Sequence, residues 1–245
     1  MLTMRAAATA AVVLVALVSA APAGADPDAV DGPVPPSTSV TPGAGFGAYD
    51  ANGALAGACT LGFLATGPDG ARYAFTAGHC SSTGNAVLPY RTPDDFRRVG
   101  RFVHTVYEPG ADIAAIALAD PALPQDARVL SRRPVTAVTD VITDADTLCF
   151  YGMRTGGRPH CGHVISPATA AEDDYLVEFG AVSVPGDSGS PVYRIEPDGN
   201  ATAVAILKSG TATSSTATLI EPFLTRWNLS LTCQTGPTAM ETCHA

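Results

Sequence analysis

The sequence predicts an all-β domain, a sandwich or a barrel. Three features carry that expectation. Short apolar or alternating runs recur from residue 46 to residue 207, with Gly/Pro-rich turns between them. Strands do not alternate with helices, and no internal repeat is present. Six cysteines in 245 residues, behind an apolar N-terminal segment, fit an exported and disulfide-bearing fold.

Residues 46–50 and 54–58 flank Asn52-Gly53, a strong hairpin-turn signal. Residues 60–66 read as a strand and are followed by a Gly-Pro-Asp-Gly turn at 67–70. Residues 71–76 return, and 87–90 form a short strand. In 99–107, Val99, Arg101, Val103, Thr105 and Tyr107 share one face. After its first residue, 112–118 is wholly apolar, as in a strand buried on both faces. Residues 138–143, 148–151, 176–179, 191–195 and 201–207 complete the strands. Only 221–228 reads as helical: Pro222 suits a first turn, and Phe223, Leu224 and Trp227 fall on one side.

The N-terminus is expected to lie outside the fold. Arg5 precedes an apolar run at 10–18, too short to span a bilayer comfortably, and the small residues Ala23 and Ala25 precede Asp26. Residues 1–25 therefore read as a secretory signal, although cleavage after Ala20 also fits. The expected location is secreted and extracellular, with no membrane span after cleavage. Residues 26–45 carry Pro27, Pro33, Pro35, Pro36 and Pro42 and read as a Pro-rich leader or linker rather than a core segment. The domain is expected at 46–245. A formal net charge of -9, with no basic run, argues against a nucleic-acid partner.

The run from Val184 to Pro191, Val-Pro-Gly-Asp-Ser-Gly-Ser-Pro, is a candidate nucleophile turn. Gly186 and Gly189 permit a tight backbone, which can present Ser188 and aim nearby N–H groups at a developing oxyanion. A general base is needed. His79 follows the 71–76 strand in Thr-Ala-Gly-His-Cys and adjoins Cys80. His104 lies within a strand pattern and reads as partly buried structure. His160 and His163 flank Cys161 in an expected loop, and His244 is terminal. Asp112 opens an apolar run, a poor place for a carboxylate without hydrogen bonds, and so a candidate for orienting the base.

Six cysteines allow 15 pairings. Pairing sequence neighbours gives Cys59–Cys80, Cys149–Cys161 and Cys233–Cys243. A zinc site at Cys149, His160, Cys161 and His163 is the competing reading, weakened by the lack of a Cys-x-x-Cys pair. No metal cluster, nucleotide loop or haem motif is evident, so no metal and no cofactor are expected.

Four blocks then carry a resemblance over roughly residues 45–228. They are Thr-Ala-Gly-His-Cys at 76–80, Asp-Ile-Ala at 112–114, Gly-Asp-Ser-Gly at 186–189, and the mid-chain segment Cys149, Gly156-Gly157, His160-Cys161-Gly162. In this order they resemble the chymotrypsin-like (trypsin-fold) serine endopeptidases, most of all the secreted bacterial branch of streptogrisin and α-lytic proteases. The resemblance implies two six-stranded antiparallel β-barrels with the site between them, and a short C-terminal helix. It implies a secreted, monomeric endopeptidase acting on protein or peptide substrates. Ser188 is the implied nucleophile, His79 the base, Asp112 its orienting acid, and the N–H groups of Gly186 and Ser188 the oxyanion hole. Cys59–Cys80 is implied to brace the histidine loop. Val182 is implied near the pocket base. Lys208, Ser209 and Gly210 are implied to form a wall that pairs with substrate backbone. With no acid at the pocket base, apolar or small side chains are expected there.

The chain also departs from the family. Ser190 stands where glycine is commoner, no Cys lies in 181–185, and Phe150 replaces a basic residue that pairs the acid before the nucleophile. Asp187 is thus expected to pair with Arg154 or Lys208. No Ile-Val-Gly-Gly start follows a basic residue, and no long propeptide is seen. These departures motivate the alternative of a catalytically weak homologue that acts as a secreted binding protein. An esterase of the Gly-Asp-Ser type fits worse, because its motif lies near the N-terminus and here it is late.

Overall fold

The computed structural model describes residues 33–168, 174–234 and 239–243. The expected signal segment 1–25 and His244 lie outside them. The first unit contains β1 (Gly45–Tyr49), β2 (Leu55–Thr60), β3 (Leu64–Thr66), β4 (Arg72–Thr76), β5 (Asn85–Pro89), β6 (Phe96–Glu108) and β7 (Ala111–Leu118). Its pairings run β2–β1–β5–β6–β7–β4–β3, all antiparallel. Only Leu61, Gly62 and Phe63 separate β2 from β3. Across this bend Leu61 N–H donates to Ala44 O (2.7 Å), and Gly62 N–H donates to Phe75 O (2.7 Å). One kinked strand thus pairs with β1 and then with β4, which closes a six-stranded ring.

The second unit contains β8 (Val135–Val138), β9 (Thr147–Phe150), β10 (His160–Ser166), β11 (Leu176–Phe179), β12 (Pro191–Ile195), β13 (Ala201–Gly210) and β14 (Ser215–Leu219). The order β12–β9–β10–β11–β14–β13 closes through β12–β13 into a six-stranded antiparallel barrel, and β8 adds parallel to β13. The helix α1 (Glu221–Arg226) follows, with proline in its first turn as expected. Then β15 (Ser230–Cys233) returns to pair with β3, and β16 (Glu241–Thr242) pairs with β15.

Apolar burial explains the two-barrel form. Phe46, Leu61, Leu64, Leu88, Val99 and Ile116 fill the first barrel. Leu148, Phe150, Val177, Phe179, Val192 and Leu219 fill the second. A third cluster, including Phe75, Ile113, Tyr193, Ile206 and Phe223, lies between the barrels and against α1. Strand β7 is buried along Ala111–Ile116 because it serves both: Ile113 joins the inter-barrel cluster and Ile116 the first interior. That is why its sequence is apolar at successive positions rather than alternately.

Three local expectations need correction. The Pro-rich leader joins the core from Ser37 onward. Ser37 N–H donates to Pro89 O (2.8 Å), Val40 N–H donates to Pro124 O (2.8 Å), and Val40 and Ala44 are buried with the first-barrel core. His160 and His163 stand on strand β10, where Cys161 lies directly opposite Cys149. Only Val164 of that strand points inward, so its sequence shows no apolar alternation. Residues 139–143 leave the sheet, with Val141 exposed, and β8 ends at Val138.

His104 on β6 stacks on Trp227 (ring centroids 5.0 Å apart, planes 13° apart). Burial there lowers its pKa below the ordinary 6.5. The unfolded chain then binds the proton more readily than the folded one. Stability is therefore full above about pH 6.5 and falls as pH drops below it. Urea midpoints at pH 7.5 and pH 5 should differ less for His104→Phe than for the wild type. Equal pH sensitivity of the two proteins would remove His104 from the account.

Candidate active site

His79 sits in a single 3₁₀ turn, Gly78–Cys80, directly after β4. The disulfide Cys59–Cys80 ties that turn to β2. Asp112, 1% exposed, comes from the start of β7. Its Oδ2 lies 2.7 Å from His79 Nδ1, and its Oδ1 accepts the backbone N–H of His79 at 2.9 Å. One carboxylate thus orients both the ring and the backbone of the same histidine. Asp112 is fixed in turn from the second barrel. Its N–H donates to Thr218 Oγ1 (2.9 Å), and that hydroxyl donates to Asp112 O (3.2 Å).

Ser188 belongs to the second barrel, in the turn before β12, and shares a cleft with His79. Gly186 (φ 98°) and Gly189 (φ 88°) have the left-handed backbone that other residues resist. At Gly189 a Cβ would also meet Thr76 Oγ1 at 2.1 Å and Thr60 O at 2.2 Å. The Ser188 turn therefore rests directly on the first barrel. Thr60 strengthens the junction: its N–H donates to Ser188 O (2.8 Å) and its hydroxyl to Gly186 O (2.9 Å).

Within this turn the N–H groups of Asp187, Gly189 and Ser190 donate to Val184 O (3.0 Å), Leu207 O (2.8 Å) and Asp187 O (3.0 Å). Among the described residues, those of Gly186 and Ser188 have no protein acceptor. Two donors beside a serine hydroxyl are the arrangement that holds a developing oxyanion. Ser188 Oγ itself donates to Lys208 O at 3.3 Å.

Asp187 is fully buried and is held by backbone donors. Its Oδ1 accepts the N–H groups of Arg154 (2.9 Å) and Thr155 (3.0 Å), and its Oδ2 accepts that of Val184 (3.1 Å). The expected ion pair with Arg154 or Lys208 is replaced by this cradle. The Arg154 guanidinium reaches Pro33 O (3.1 Å), and Lys208 Nζ reaches Pro109 O (3.5 Å). Gly152 makes the cradle possible, since a Cβ there would lie 2.1 Å from Asp187 Oδ1.

A smaller cleft of about 250 Å³ adjoins Ser188, and Tyr107, Ser183, Val184, Lys208, Ser209 and Gly210 are among its lining. Val182 does not line it. Side chains alternate along this extended segment, with Ala181 and Ser183 buried and Val182 and Val184 each 44% exposed. Ser183 lines the cleft at the place expected of Val182. Sequence reading also missed Tyr107 and Thr218. Tyr107 could have been found from its face on β6 just before Asp112, whereas nothing local marks Thr218.

All six cysteines form the neighbour pairs Cys59–Cys80, Cys149–Cys161 and Cys233–Cys243. The zinc alternative thereby loses both of its thiolates.

No family model matches the chain. Two proteins of Mycobacterium tuberculosis, the uncharacterised Rv1815 of strain H37Rv and MT1863 of strain CDC 1551, are each 31% identical over 166 residues, 62% of this chain and 67% of theirs. Among solved structures, Nocardiopsis protease (NAPase) aligns with a TM-score of 0.57 at 21% identity, covering 79% of this chain and 98% of that one. A glutamic acid specific serine protease that uses a histidine triad in substrate binding aligns at 0.57 and 22% identity, over 78% and 100%. An α-lytic protease homologue, N4, aligns at 0.56 and 22% identity, over 78% and 98%. By sequence, then, the chain belongs to one family with the two mycobacterial proteins, and its fold is that of the chymotrypsin-like bacterial serine proteases.

Proposed function

We propose that the protein is a secreted, monomeric serine endopeptidase that works through His79, Asp112 and Ser188. The observation that carries this reading is the 2.7 Å contact between buried Asp112 and His79, on the same cleft as Ser188 and the two N–H donors beside it. On this reading Ser188 Oγ leaves Lys208 O for a bond to His79 when substrate is bound. Such bonds are often loose without substrate.

In the proposed reaction the Ser188 oxygen attacks the scissile carbonyl while His79 Nε2 takes its proton. The carbonyl oxygen, now negative, accepts from Gly186 and Ser188 N–H. Collapse breaks the C–N bond, and His79 gives the proton to the leaving amine. Water then repeats the sequence on the acyl ester and regenerates Ser188. Past Leu207, β13 is paired with β14 on one side, which leaves Lys208–Gly210 to pair with the acyl part of a substrate. The Gly-Asp-Ser-Gly turn, the histidine turn and the homologous fold all support this assignment.

Export is supported by the three disulfides and by the signal-like residues 1–25, which we propose are removed. Among the described residues no helix is long and apolar enough to cross a membrane. Wild-type mature protein should cleave members of a diverse peptide set, with new N-termini detected by mass spectrometry. Ser188→Ala should lower that turnover on the order of 10⁴-fold or more. One observation favours the second reading, a secreted binding protein: the bond from Ser188 Oγ to Lys208 O in place of one to His79. A folded wild type that cleaves none of the peptides would select it.

A further inference from the structure

The two sides of Ser188 differ sharply in room. On the acyl side, the walls of the expected side-chain slot touch. A Cβ added to Gly210 would lie 2.4 Å from Ser183 Oγ and 2.9 Å from Ser183 O. Behind them Ser215 Oγ donates to Ala181 O (2.7 Å) and lies 2.9 Å from Ser183 Oγ. Gly210 and Ser183 thus touch at this point, which narrows the slot they line, a cleft of about 250 Å³. On the other side, a cleft of about 670 Å³ runs from Ser188 and Gly186 across β1 and β2. Leu55, Gly57, Val87, Phe96 and Pro185 line it, and among the described residues no Asp, Glu, Lys or Arg does. Leu55 and Phe96 are each 59% exposed, apolar surface open to an occupant.

With the acyl part of a substrate on Lys208–Gly210, the leaving part must pass to the opposite side of Ser188. We propose that the occupant of the larger cleft is the peptide segment after the scissile bond, and that this protein selects its cleavage site there. The favoured substrate has a bulky apolar residue immediately after the bond, and glycine, alanine or serine before it. This inference rests on the serine endopeptidase reading above. Its physical basis is burial: a leucine or phenylalanine side chain moved from water onto this apolar lining is favoured over a polar one by at least about tenfold. The narrower and more polar acyl-side slot offers less.

The test uses the full mature protein and a peptide library randomised on both sides of the bond. At least tenfold preference for Leu, Phe or Met over Asp or Gly just after the bond is expected, with only small residues accepted before it. Two variants fill or polarise the cleft. A side chain at Gly57 meets nothing within 4 Å at its Cβ, so Gly57→Trp can enter the cleft without disturbing the barrel. Exposed Leu55→Asp serves as the second. Each should lower kcat/KM for the best peptide at least tenfold more than for a p-nitrophenyl ester of the same acyl part, which has no peptide on the leaving side. Selectivity for large side chains before the bond, or equal losses on peptide and ester, overturns the inference while leaving the endopeptidase reading intact. A wild type that neither cleaves peptides nor reacts with a fluorophosphonate overturns both.

Discussion

If the proposed triad operates, Asp112→Asn is expected to lower kcat for peptide hydrolysis by about 10⁴-fold and to leave the fold in place. The reason is the pair of bonds the carboxylate makes. Oδ1 faces the His79 backbone N–H, which can only donate. Oδ2 faces His79 Nδ1, which can donate or accept. An amide at this position must keep its oxygen towards the backbone N–H and turn its NH₂ towards the ring. Nδ1 then becomes the acceptor and the ring proton moves to Nε2, so the ring can no longer take a proton from Ser188. Size and shape hardly change, so the Thr218 bonds between the barrels survive. Steady-state kinetics beside a thermal melt separate the two effects. A loss under tenfold in a folded variant would show that Asp112 does not set the tautomer.

Asp187→Ala is expected to destabilise the protein by about 3 kcal/mol or more, from three backbone donors that each lose their acceptor. For a domain of this size that is a fall in Tm of about 6–12 °C. The same loss frees the 152–155 loop and Val184 from the oxyanion turn, so turnover should fall with stability. Asp187→Asn should lie between. Its amide oxygen can still serve Arg154 and Thr155, while its NH₂ opposes the Val184 N–H. Differential scanning calorimetry of the three proteins gives the order directly. A variant series with unchanged Tm would mean that water replaces the carboxylate at no cost.

The parts of the site that were legible in sequence are those carried by local runs. Thr-Ala-Gly-His-Cys at the end of β4, Asp112 at the head of an apolar strand, and the glycine-flanked Ser188 each announce a side chain and the backbone that presents it. Their meeting across two barrels follows from the fold. What stayed hidden lacks a side-chain signature. The donors that hold Asp187 are backbone N–H groups, and only Gly152, with no room for a Cβ, hints at them. Whether Val182 or Ser183 meets the cleft depends on the local backbone, which a family resemblance does not supply. Strand β10 carries two His and one Ser with a single inward residue, and β14 is a five-residue run whose only apolar residues are Ala217 and Leu219, so neither gives a strong strand pattern. Val40 and Ala44 were masked by the prolines around them, yet they fill part of the first barrel.

The bond between Ser188 and an electrophile is the most direct measure of the proposed chemistry. Mature protein treated with a fluorophosphonate, digested and mapped by tandem mass spectrometry should carry one adduct, on Ser188. Asp112→Asn should acquire it far more slowly, and Ser188→Ala should not acquire it at all. A folded wild type without the adduct, or equal labelling of the wild type and Ser188→Ala, would contradict the assignment of Ser188 as nucleophile.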